Sequence, residues 1–136
     1  MKTTLSIALV ILCFGSSLSD ASGQRTRKNI ASEMQIFWST FQAAVARNDK
    51  EAVASMTHFP LEMPYGVRSI RTKAQFMKSY SKIFDAETKK CFSTATPNPE
   101  RGKTKRFWIG CGEAMMYWFN MVNGEYKFIS VDNVNE

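Results

Sequence analysis

The chain has 136 residues, of which 44% are apolar, 12% aromatic and 22% charged, with a formal net charge of +6. This composition supports one packed globular domain and excludes a low-complexity or disordered polymer. A lone histidine, His58, with no C-x-x-C or H-x-x-x-H spacing, excludes a metal centre; no G-x-S-x-G, Walker loop or G-x-G-x-x-G implies a nucleophile elbow or a cofactor.

Lys2, the apolar run Leu5 to Leu12, and small residues ending in Ala21 and Gly23 follow the order of a secretory signal peptide over residues 1–23. Cleavage before Gln24, or before Ser22, fits the small side chains. A membrane-spanning helix needs about 20 apolar residues, more than this run supplies, and nothing later is long enough to cross a bilayer. The expected product is exported, periplasmic or extracellular, with no transmembrane segment after cleavage and with Cys13 removed. Export argues against nucleic acid as a partner of the cationic surface. Residues 24–31, polar and basic, read as a flexible arm preceding a single domain over 32–136.

Ser32 and Gln35 form an S-x-x-Q capping box, which predicts a helix starting at Ser32. Met34, Phe37, Trp38, Phe41, Ala44 and Val45 then recur at helical spacing on one face. Asp49 caps a short second helix over Lys50 to Met56. The segment "HFPLEMPYG" predicts a short edge strand or irregular turn around Leu61 and Met63. Thr72 with Gln75 repeats the capping box, and Phe76, Tyr80, Ile83 and Phe84 give a third helix its buried stripe.

From Thr88 the pattern reads as β. "KKCFSTA" and "TKRFWIGC" flank a Pro/Gly loop, and "GEAMMYWFNMV" and "EYKFISVDNV" flank Asn123-Gly124, the strongest short hairpin signal. A two-residue turn there sets Val122 opposite Glu125, Met121 opposite Tyr126 and Phe119 opposite Phe128. One face then carries Met115, Tyr117, Phe119, Met121, Tyr126 and Phe128 and is assigned to the side beneath the helices. The other carries Met116, Trp118, Ile129 and Val131 and is assigned to a homodimer contact. Cys91 set opposite Cys111 centres the preceding hairpin on Arg101, with Ser93 facing Ile109 and Ala95 facing Phe107. In an exported chain that pair predicts a disulfide; two buried reduced thiols are the alternative. The fold class is α+β, with helices packed on a curved antiparallel sheet of about four to six strands.

The run "FWSTFQAAVARNDKEAVASMTHFPL", then "IRTKAQFMKSYSKIF", then paired strands ending in "NGEYKFISVDN", resembles the nuclear transport factor 2-like (cystatin-like) superfamily, and more closely its small exported bacterial members. The resemblance implies a cone in which sheet and helices enclose a pocket. Phe37, Phe41, Phe76, Tyr80, Met115, Tyr117, Phe119 and Phe128 are the residues expected to line it, with Tyr117 as the polar contact to a small apolar ligand. The leading reading is a non-catalytic module binding such a ligand, or a protein partner, in or around that pocket. The resemblance also implies an alternative, a small isomerase, dehydratase or hydrolase using a tyrosine with Asp, Glu or His. Tyr117 and Tyr126 would face the cone, with Tyr65, Tyr80, Glu113 and Asp132 near its rim; His58 reads as a turn residue. A further alternative is an envelope protein whose basic loop, Arg101, Lys103, Lys105 and Arg106, meets anionic polymer or lipid.

Overall fold

The computed structural model describes residues 21–103 and 105–135, so the apolar run read as a signal peptide lies outside the described residues. Helix α1 (Ala21–Ala46) starts well before the expected Ser32, and residues 24–31, expected as an arm, form its early turns. Ser32 and Gln35 therefore sit within a helix rather than cap one. The buried stripe is as expected: Trp38, Phe41, Ala44 and Val45 are all 2% exposed or less.

Asp49 caps α2 (Lys50–Ser55) by accepting from the Ala52 N–H at 3.0 Å. Strand β1 (Thr57–Glu62) follows, and helix α3 (Lys73–Ile83) begins where the second capping box placed it. Thr72 accepts from the Gln75 N–H at 3.2 Å, and Gln75 accepts in return from the Arg71 N–H at 2.9 Å.

The next element corrects the sequence reading. Residues 86–94 form helix α4 (Ala86–Thr94), not the strand expected over "KKCFSTA". Asp85 caps it, accepting from the Thr88 N–H at 2.8 Å. Thr88, Cys91, Phe92 and Ala95 are spaced by three, one and three, which is a helical face; Thr88 and Phe92 are buried. Trp38 Nε1 donates to the Ala95 carbonyl at 3.1 Å, tying α1 to the end of α4. The β-branched and aromatic content of the segment favoured a strand locally, and packing under α1 overrode it.

Strands β2 (Asn98–Pro99), β3 (Arg106–Cys111), β4 (Met115–Val122) and β5 (Glu125–Asn133) complete a five-stranded sheet in the order β1-β5-β4-β3-β2. The sheet is mixed rather than antiparallel throughout, because β1 pairs with β5 in parallel. These two strands are joined by α3, α4 and the rest of the sheet, so no hairpin constrains their direction. Pro60 sits on this edge strand, where a missing donor is tolerated. The β2–β3 register is Asn98 to Trp108 and Pro99 to Phe107, displacing the expected pairing of Ser93 and Ala95 with β3.

The Asn123-Gly124 turn forms as expected, with φ of +51° and +84°, the left-handed pair a tight hairpin requires. Val122 faces Glu125, Met121 faces Tyr126 and Phe119 faces Phe128. Beyond that point the register shifts: Trp118 faces Ser130 and Tyr117 faces Val131, so Ile129 is an extra residue. The bulge reverses the alternation, and Val131, expected on the dimer face, is instead buried in the core at 3% exposure.

Candidate functional site

The concave side of the sheet is filled by aromatic rings. Phe41 meets Phe119 at 5.1 Å between centroids and Phe128 at 5.6 Å, and Phe76 meets Tyr80 at 6.0 Å. Phe41, Phe76, Phe119 and Phe128 are wholly buried, and Phe37 stacks on Phe41 at 5.8 Å while touching Phe119 and Tyr126. These side chains pack ring against ring. Of the eight residues expected around a pocket, Met115 and Tyr117 do border a cleft.

That cleft, of about 570 Å³, lies between α3, α4 and the β3–β4 turn. At its floor the Tyr117 hydroxyl sits 2.9 Å from Thr88 Oγ1 and donates weakly to the Ile83 carbonyl at 3.4 Å. Burial pushes the phenol up; the Thr88 hydrogen bond pulls it down and Asp85 adds to the rise. Tyr117 is thus a neutral buried group whose hydroxyl has internal partners. Cys91 and Cys111 form a disulfide on the cleft wall, S–S 2.06 Å, joining α4 to β3 rather than strand to strand.

Asp85 and Glu113 also border the cleft, and both are exposed. The Thr88 backbone N–H holds the Asp85 carboxyl below its ordinary value, against a smaller upward push from desolvation. A carboxyl poised for proton transfer in an apolar pocket shifts the other way. Tyr80 and Tyr126 are raised by burial, with Asp49 and Glu33 respectively adding to it, while Tyr65, Asp132 and His58 are exposed. Among the described residues no group of His, Cys, Asp and Glu side chains could hold a metal ion.

The convex side of the same sheet is different. Alternation along β3 turns Phe107, Ile109 and Cys111 inward, so Arg106, Trp108 and Gly110 face out. Along β4 the outward residues are Met116, Trp118 and Asn120. Trp108 lies directly across from Trp118, with ring centroids 6.3 Å apart, and Gly110 lies across from Met116. A Cβ on Gly110 would come within 3.1 Å of Trp108 Cζ3, so the glycine is what lets the indole lean over the strand. On the other side the Arg106 guanidinium stacks on the Trp118 ring at 4.3 Å and pairs with Glu100 at 3.4 Å. Lys127 adds a second cation, held by Glu125 at 2.9 Å.

Met116, Trp118 and Ile129, expected on a dimer face, are all on the partly exposed surface. Trp108 and Gly110 were not singled out from sequence, and Arg106 was read there as part of a basic loop rather than of this face. The signal was there: once Cys111 points inward to a disulfide, strict alternation puts Trp108 outward.

No protein-family model matches the chain, and no curated protein matches it. Among solved structures it is similar to a de novo designed protein with a curved β-sheet, at 20% identity and a TM-score of 0.46, over 75% of this chain and 96% of that one. It is also similar to an NTF2-like protein with a cystatin-like fold from Novosphingobium aromaticivorans, at 12% identity and a TM-score of 0.44, over 85% of this chain and 90% of that one. Scores of this size define neither a family nor an activity. The α+β assignment rests on the topology itself.

Proposed function

We propose that this is an exported, non-catalytic recognition module of the nuclear transport factor 2-like kind, which binds protein across the convex face of its sheet. Its first partner is a second copy of itself. The observation that carries this reading is the Trp108–Trp118–Met116 platform, large apolar side chains held in fixed cross-strand positions and still partly exposed. Tryptophan, methionine and arginine are enriched where protein surfaces meet. The face also bears both signs of charge, Arg106 and Lys127 against Glu125, as a patch that meets its own copy across a twofold axis requires. The packed aromatic interior favours a protein partner over a small ligand held inside the cone. The Cys91–Cys111 disulfide and the signal-like N-terminal sequence support export.

Sedimentation equilibrium of the wild type and of Trp118→Glu tests the proposal. The wild type should sediment as a dimer at tens of micromolar, about the concentration that a weak specific contact needs, and the variant as a folded monomer. A wild type that stays monomeric there would overturn self-recognition.

A further inference from the structure

The early turns of α1 and the loop between β2 and β3 enclose a second cleft, of about 620 Å³, that the sheet-face reading does not use. This volume is within the roughly 300–1,000 Å³ typical of small-molecule sites. Its floor is apolar: Ile30, Ala31 and Met34 from one side of α1, and Pro99 from the opposing strand. Ile30, Ala31 and Met34 lie at helical spacing, so they form a continuous strip, and Arg27 continues it one turn towards the N-terminus. The strip from Arg27 to Met34 is about 10 Å long.

The opposing wall is a defined turn. Glu100 donates its N–H to the Arg106 carbonyl at 3.0 Å, Lys103 donates to the Glu100 carbonyl at 3.1 Å, and Gly102 takes a φ of +77°. The charges around the apolar floor are unequal. Arg27, Lys103 and Arg106 border the cleft, while the one carboxylate among the described residues that line it, Glu100, pairs with Arg106. An apolar trough rimmed by excess positive charge is complementary to a molecule with a hydrocarbon tail and an anionic head.

We infer that this cleft binds a single medium-chain carboxylate, its tail on Ile30, Ala31 and Met34 and its head between Arg27 and Lys103. A neutral tail-only molecule loses the charge attraction, and a cationic head is repelled. The site meets the Trp108–Trp118 face only at Arg106, which borders the cleft and stacks on Trp118, so variants at Ala31, Arg27 and Lys103 change no residue of that face.

Isothermal titration calorimetry with decanoate, decanol and decyltrimethylammonium, all below their aggregation concentrations, reads the proposal out. Decanoate should bind saturably at one site per chain, with decanol and decyltrimethylammonium at least about tenfold weaker, since one lost charge contact is worth about that factor. Ala31→Glu, at an exposed helical position that tolerates the change, should weaken decanoate about tenfold or more, as should Arg27→Glu with Lys103→Glu. Equal affinity for the cationic amphiphile, or decanoate binding that survives both variants, would overturn it. So would binding seen only to phosphatidylglycerol vesicles, which would assign the cations to a membrane surface instead.

Discussion

Strand β4 carries large apolar side chains on both of its sides, yet the two sides of the sheet have different fates. On the concave side Phe107, Ile109, Phe119 and Phe128 are wholly buried by one another and by rings from α1, α3 and α4. On the convex side Trp108, Met116, Trp118 and Ile129 stay partly exposed. The concave face is a core, and its apolar content is explained within the chain. The convex face sets Trp108, Met116, Trp118 and Ile129 among charged and polar side chains without the same cover, and that difference is what points to recognition rather than to folding.

The comparison breaks most visibly at Phe119. Truncation to Phe119→Ala should cost about 3–5 kcal/mol, as for other buried phenylalanines, and urea unfolding measures it. A loss as small as that of a surface substitution would mean that the aromatic interior is looser than its ring contacts imply. Next comes the Cys91–Cys111 bridge, which fastens α4 over the concave face. Cys91→Ser with Cys111→Ser should lower stability by about 3 kcal/mol, the scale for a loop of 20 residues, in the same unfolding experiment.

Smaller effects sharpen the boundary between core and cleft. Tyr117→Phe removes a buried hydroxyl from Thr88 and should cost about 1 kcal/mol, the scale of one neutral hydrogen bond. Asp85→Ala should cost about 1 kcal/mol at neutral pH through loss of the α4 cap. The Asp85 carboxyl titrates lower in the folded chain than in the unfolded one. Its contribution is therefore complete above about pH 4 and disappears as pH falls through the folded value, so the variant and wild type should converge in strong acid. Trp118→Glu, on the convex side, should cost the isolated chain about 1 kcal/mol, the scale of its cross-strand and cation–π contacts. That value set beside the one for Phe119→Ala is the sharpest form of the contrast.

Much of the concave face was legible in the sequence because side-chain periodicity and turn chemistry agree there. Asn123-Gly124 fixed the hairpin, Asp49 and Thr72 fixed two helix starts, and the buried stripes of α1 and α3 follow from helical spacing. Three things were not legible. The α4 segment carries β-forming residues whose helical face, Thr88, Cys91 and Phe92, matters only once α1 covers it. The bulge at Ile129 leaves no mark in the alternation of types, because Ile129 and Val131 are equally apolar. The packing of the expected pocket residues was not legible either: spacing places aromatic rings on facing surfaces, but it does not say whether they meet. Phe41 against Phe119 at 5.1 Å shows that they do.

Hydroxyl-radical footprinting across a dilution series tests the claim about the convex face most directly, with Trp38 as an internal reference buried at 2% exposure. If that face is covered by a second copy, Trp108, Trp118 and Met116 should be protected at high protein concentration. They should become oxidised together on dilution, while Trp38 stays protected throughout. Oxidation of Trp108, Trp118 and Met116 at the same rate at every concentration would contradict the account.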